Sequence, residues 1–180
     1  MRLRTLESYG LISNGILNSY SSLHGKNESC EVVVIGGGIT GALVSYALVK
    51  SGYSVILMDK RDIACGSTAA TTSLLQYEID VPLHLLSDMI GEVAAADCYK
   101  AGIKAINDLD DLIKQHGFDC GFERKQSLFI ARSEKDVSAL KKEFIARDKH
   151  ELGVTWLDRK QILDDYGINC YGAILSNEAA

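Results

Sequence analysis

Three glycines, one acid and a short run of hydroxylated residues carry the chemistry that is legible in this chain. Gly36, Gly38 and Gly41 form G-x-G-x-x-G, and Asp59 stands 18 residues past Gly41. Gly66-Ser67-Thr68 and Thr71-Thr72 follow within a few residues. Glycines cluster by chance in many loops, so the pattern gains meaning from the jobs its members can do together. Gly36 permits a tight turn out of a strand, Gly38 lets backbone approach a pyrophosphate, and Gly41 lets a helix pack closely on that strand. The free N–H groups at the start of the helix then face the phosphates with a partial positive charge. Asp59 is placed to accept hydrogen bonds from an adenosine ribose. The Ser/Thr loop brings small donors that can come close to phosphate and sugar oxygens, although such a loop can also be a plain helix cap.

These groups can act together only on a βαβ unit, and the flanking sequence predicts one. Val32-Val33-Val34-Ile35 reads as a buried parallel strand. Ala42 to Lys50 reads as a helix closed by Gly52, and Ser54 to Met58 as the second strand. A polar loop leading into a helix is expected over 60–78. Beyond Pro82, apolar positions recur at helical spacing from Leu85 to Ile113, as one helix or two with a break at Gly91 and a stop at Gly117. Ser127 to Ala131 reads as a strand, Ser133 and Asp136 as a capping box for a helix ended by Gly153, and Val154 to Leu157 as a strand. Asp158 and Gln161 cap a short helix before Gly167, and Tyr171 to Leu175 is β-like.

Composition narrows the class. The 180 residues are 47% hydrophobic and 24% charged, ordinary values for a globular protein. A net charge of −5 offers no general attraction to nucleic acid or to an anionic membrane. Five separated cysteines without a C-x-x-C pair suit reduced thiols, read as small buried hydrophobes, in a cytoplasmic protein without a metal site. No apolar run nears the ~20 residues of a membrane span. Arg2 and Arg4 ahead of Leu11, Ile12, Ile16 and Leu17 look superficially like a signal peptide. Ser13-Asn14-Gly15 and Asn18-Ser19 interrupt it, so residues 1–29 read as an arm packed on the body; a Ser-rich transit peptide is the alternative, against which Glu7 counts.

No acid–base constellation emerges. His24, His84, His116 and His150 lie apart and read as surface or structural groups. Asp108, Asp110 and Asp111 read as a solvated helix face, and Glu123, Arg124 and Lys125 as surface charge. Tyr77 and Glu78 are the polar pair nearest the Ser/Thr loop. The early interruption after Asp59 departs from a nicotinamide-binding domain, and Asp59 opposes a 2′-phosphate.

The run GGGITGALVSYALVKSGYSVILMDKRDIACGSTAATTSLLQYEID resembles the N-terminal part of the FAD-dependent oxidoreductases of the D-amino acid oxidase superfamily. The similarity extends through GFERKQSLFIARSEKDVSALKKEFIARDKHELGVTWLDRKQILDDYG, with Gln126 where the family has glycine, and into GAILSNEAA. The resemblance implies an α/β fold, a Rossmann-like FAD-binding βαβ unit with part of an α+β substrate domain, truncated. Its expected parts are an arm at 1–29, an FAD-binding portion with a long helical segment at 30–118 and the start of a substrate domain at 119–180. Gly36, Gly38, Ile39, Thr40 and Gly41 would hold the FAD pyrophosphate, Asp59 the ribose, and Lys60 would approach adenine. Cys65, Gly66, Ser67 and Thr68 would serve the diphosphate and ribityl chain, with Thr71 and Thr72 near the flavin ring. The parent enzyme would move a hydride from a C–H of an amine, amino acid or hydroxy acid to flavin N5. Its catalytic residues would lie beyond Ala180, and the 180-residue piece alone would be inactive and bind FAD weakly or not at all. Two readings stay open beside it: an NAD-binding dehydrogenase or sensor domain, and a non-catalytic remnant.

Overall fold

The computed structural model of the chain describes residues 27–180 together with Gly10, Ile12, Gly15, Tyr20, Ser22 and Gly25. The arm expected over 1–29 therefore lies mostly outside the described residues. The chain divides into two compact units, Met1–Ser73 and Leu74–Ala180.

The first unit is the βαβ motif. Strand β1 (Val32–Ile35) pairs in parallel with β2 (Val55–Met58), Val32 opposite Val55 and Ile35 opposite Met58. Helix α1 (Ile39–Lys50) connects them and begins three residues earlier than the apolar pattern alone suggests. The reason is Gly41, which lies in its first turn and allows the helix to start hard against β1. Ser51 is the cap, and Gly52 follows at φ +91° to turn the chain back. Beyond β2 the expected helix over 60–78 reduces to one 3₁₀ turn, Ser67–Ala70, with irregular backbone after it. Its small β-branched and hydroxylated residues favour local turns over an α-helix. One expectation fails clearly. β1 is not buried on both faces: Val33 is 51% exposed and Ile35 86%. Two parallel strands and one crossover helix leave alternate side chains of β1 without cover among the described residues.

The second unit combines helices with an antiparallel sheet. Gly91, at φ +91°, separates α2 (Leu83–Ile90) from α3 (Glu92–His116), so the long apolar pattern is two helices. Gly117 ends α3 in the left-handed region at φ +63°. Strand β3 (Lys125–Ile130), helix α4 (Val137–Lys149), strand β4 (Val154–Leu157), helix α5 (Arg159–Tyr166) and strand β5 (Ala173–Ala179) complete it. The sheet order is β3-β5-β4 with every pair antiparallel. Both capping boxes read from the sequence form, Ser133 with Asp136 and Asp158 with Gln161. Tyr77, Leu83, Ala95, Tyr99, Ile106 and Leu152 make one core cluster. Because α2 and α3 close on Leu152 and on the segment around Tyr77, they belong with the sheet of the second unit rather than with the βαβ motif. That differs from the expected segment 30–118, which grouped them by sequence order.

Two further readings are corrected. Only Cys170 among the cysteines is buried; Cys30 and Cys65 are half-buried, and Cys98 and Cys120 exposed. Asp110 is not part of a solvated face. It is 8% exposed and bridges Lys114 at 2.9 Å and Arg124 Nε at 2.9 Å, so Arg124 is not free surface charge either. Within the helix, Asp110 lies on the stripe of Ile106 and turns inward with it.

Candidate functional site

The glycines of the βαβ turn do different work. Gly36 sits at φ +108° with nothing within 4 Å of a Cβ placed on it, so its requirement is conformational. Its N–H donates to the Met58 carbonyl at 2.7 Å. Gly41 is required by contact. A Cβ there would overlap the Gly36 carbonyl oxygen and come within 3.0 Å of the Gly36 carbonyl carbon and 3.4 Å of Leu57 Cδ1. Helix and strand thus approach as closely as a hydrogen at this position allows. A Cβ on Gly38 would come within 2.9 Å of Thr68 Oγ1, so this glycine keeps the mouth of the turn narrow and bare.

Thr68 reaches that mouth from the far loop. Its Oγ1 accepts the N–H of Ile39, the first residue of α1, at 3.0 Å. Gly38, at the cap position, has no side chain to do so, and no acid stands in the first turn. A hydroxyl that accepts one helix N–H still has a proton to donate and a lone pair left over. Among the described residues, the N-terminus of α1 therefore combines amides without an acceptor, a positive dipole end and a hydroxyl. That donor set fits a phosphate group.

Asp59 follows β2 directly and binds backbone on both sides. Oδ2 accepts the Gly37 N–H at 2.7 Å and Oδ1 the Arg61 N–H at 2.9 Å. These two bonds, Arg61 first, hold its carboxyl below the usual carboxylate range, with the charges of Arg61 and Lys60 adding to them. A carboxylate offers about four acceptor positions, so about two remain open to further donors. The Gly37 carbonyl accepts from Ala64 N–H at 2.9 Å, and the Ile63 side chain lies over Gly37. Gly36, Gly38, Ile39, Thr40, Gly41, Asp59 and Thr68 are thus gathered around one turn. Gly66 and Ser67 lead into the Thr68 turn, with Ser67 exposed. Lys60 is exposed. Thr71 Oγ1 accepts the Ser73 N–H at 3.2 Å, and Thr71 and Thr72 are both exposed. Gly37, Ile63 and Arg61 belong to this constellation but were not singled out from sequence. Gly37 was visible as the middle of a Gly-Gly-Gly run, whereas Ile63 and Arg61 carry no local signal.

Tyr77 and Glu78 belong to the second unit and enter a buried polar network there. Arg147 is 1% exposed; its Nε donates to Glu143 Oε1 at 2.7 Å and its Nη1 to Tyr77 Oη at 3.2 Å and Glu78 Oε1 at 3.3 Å. Glu143 also accepts the Leu83 and His84 N–H groups at 2.9 and 3.0 Å, and lies 2.7 Å from His84 Nδ1. Burial pushes the Glu143 carboxyl up, but its bonds to His84, Leu83 and Arg147 outweigh that and hold it below its ordinary value. Burial pushes the Tyr99 phenol up to about 12, with the Glu143 charge adding to the effect. The network caps α2 from α4 and fixes Tyr77, a structural task. Among the described residues, no group of three or more His, Cys, Asp or Glu converges in a metal-binding arrangement, and no helix is long and apolar enough to cross a membrane.

The model of the DAO family, FAD dependent oxidoreductase, matches residues 31–180. A putative Rieske 2Fe-2S iron–sulfur protein of Bacillus subtilis is 29% identical over 133 residues, covering 74% of this chain and 26% of that protein. Gamma-glutamylputrescine oxidoreductase of Escherichia coli is 24% identical over 128 residues, covering 70% and 30%. The crystal structure of glycine oxidase from Geobacillus kaustophilus superposes with a TM-score of 0.61 at 19% identity, over 83% of this chain and 40% of that one. The chain thus spans under a third of these two curated relatives.

Proposed function

The chain belongs to the DAO family of FAD-dependent oxidoreductases, and on that premise we propose that its first unit holds FAD for the oxidation of a small amine, amino acid or hydroxy acid. The observation that carries the reading is the joint formed by Gly41, Gly38 and Thr68, a narrow turn that presents amides and a hydroxyl where a diphosphate would lie. In this reading the Gly36–Gly41 backbone binds the diphosphate and Asp59 the ribose. Lys60 approaches adenine, Gly66, Ser67 and Thr68 approach the diphosphate and ribityl chain, and Thr71 and Thr72 face the flavin ring. When bound, the flavin supplies the hydride-accepting chemistry. This chain's part is to bind and orient. Asp59 enters already ionised and already held by two backbone amides, so little reorganisation is needed to accept a sugar hydroxyl.

An amine or amino acid is favoured within this class by the Escherichia coli relative, which acts on a nitrogen compound. We assign the second unit to the substrate side and the protein to the cytoplasm, where its five free thiols would stay reduced. The test is spectroscopic. Protein purified with the whole parent sequence should be yellow and absorb in the flavin bands. Protection against heat by NAD, with no flavin present, would overturn the reading. The 180-residue chain alone should bind FAD weakly and show no turnover, because among the described residues nothing covers the face of β1 bearing Val33 and Ile35; tight stoichiometric FAD binding by it would refute this.

A further inference from the structure

Arg61 is a cation in the first unit to which the reading above gives no task. Its backbone N–H is tied to Asp59 Oδ1 at 2.9 Å, which fixes where its side chain departs. Its guanidinium Nη2 lies 3.1 Å from the position that a Cβ on Gly66 would occupy. The guanidinium therefore rests against the backbone of Gly66, two residues before the Thr68 hydroxyl that touches the Ile39 N–H. Among the described residues no carboxylate forms an ion pair with it. Its charge is a lesser influence on Asp59 than the two backbone bonds are.

An exposed arginine gains little from lying on a glycine, since neither partner is apolar and no hydrogen bond results. What the placement does is aim a forked donor at the loop that flanks the N-terminus of α1. The first turn of that helix carries no acid to oppose an incoming anion. We propose that Arg61 is a phosphate-binding residue, its guanidinium donating to a diphosphate oxygen of the dinucleotide. Gly66 then has a second task. A side chain there would press on the guanidinium and push it off the loop. The inference rests on the dinucleotide reading of the βαβ turn and holds for any ligand with an adenosine diphosphate half.

The test uses the 180-residue chain and two probes, ADP and adenosine, followed by amide NMR shifts at Gly36–Ala42. Wild type should prefer ADP to adenosine. Arg61→Ala should weaken ADP by about tenfold, the worth of one charge-assisted bond, and leave adenosine unchanged. Arg61→Lys should fall between the two. Both variants should keep the wild-type amide spectrum, since the side chain is exposed. ADP binding unchanged in Arg61→Ala would overturn the proposal. So would an equal loss of ADP and adenosine, which would mean that Arg61 acts through Asp59, or the absence of any ADP shift in wild type at millimolar concentration. A parallel titration with FAD and NAD separates the two readings. If NAD competes with ADP and FAD does not, the FAD assignment fails while the ADP-to-adenosine contrast still decides Arg61.

Discussion

Gly41→Ala is the substitution that most directly probes how the turn of the βαβ unit is built. The added methyl would overlap the Gly36 carbonyl oxygen and stand 3.0 Å from the Gly36 carbonyl carbon. That carbon contact alone is at least about 0.5 Å inside the optimal separation of two carbons. Both atoms are backbone, so no rotamer change relieves the clash. Helix α1 must withdraw from β1, or the turn at Gly36 must open. Overpacking of this kind costs about 1–3 kcal/mol, and an immovable backbone partner places this site at the upper end. Withdrawal also stretches the 3.0 Å bond from Ile39 N–H to Thr68, worth about 1 kcal/mol. Gly36→Ala is the control. It meets no atom within 4 Å, yet must hold φ +108°, a strain of about 1–3 kcal/mol without displacement of the helix. Hydrogen exchange over residues 36–58 distinguishes the two. Gly41→Ala should speed exchange along the start of α1 and at the Gly36 N–H, whereas Gly36→Ala should perturb the turn alone. Exchange in Gly41→Ala equal to wild type would refute the close-packing argument, because the methyl would then have found space that the structure denies it.

Thr68→Val keeps the shape and removes the acceptor for Ile39 N–H, and should weaken the start of α1 by about 0.5–2 kcal/mol as loss of a cap does, while Thr68→Ser restores it; exchange at Ile39 reads both. Asp59 titrates below its ordinary value in the folded chain, so its contribution to stability is complete above the ordinary carboxylate range and is lost as the pH falls through the lowered value. Carbon-detected titration of its carboxyl should show that midpoint, and Asp59→Asn should remove this part of the acid dependence. Arg147→Met strands the buried Glu143 carboxylate and should cost the second unit about 3–5 kcal/mol, read as a fall in the urea midpoint by Trp156 fluorescence. The double variant Glu143→Gln with Arg147→Met should lose less than the two single losses together, and simple additivity would count against a coupled pair.

Much of the fold was legible because its signals are local. The capping boxes at Ser133 and Asp158, the stops at Gly117 and Gly167 and the break at Gly91 each depend on a few neighbouring residues. The periodic apolar positions of α3 and α4 marked helices for the same reason. The readings that failed are those that depend on distant partners. Asp110 looked like one of three solvated acids until Arg124, fourteen residues on, closed over it. What Tyr77 and Glu78 bond to was equally illegible, since both reach Arg147, about seventy residues away. The cysteines could not be sorted into buried and exposed, since one small side chain carries no record of which face it will take.

By itself the sequence determined the glycine turn and the donor types around it. Glycine spacing, a following acid and a hydroxylated loop constrain backbone shape and donor type within a few tens of residues, and those constraints act through covalent geometry. Tertiary structure alone decided which hydroxyl caps α1, which backbone amides occupy Asp59 and where the Arg61 guanidinium rests. It also decided that α2 and α3 pack with the antiparallel sheet, and that among the described residues β1 keeps one face uncovered. These are contacts between segments that meet only after folding. Their energies depend on distance and burial, which no stretch of residues carries before the chain has closed upon itself.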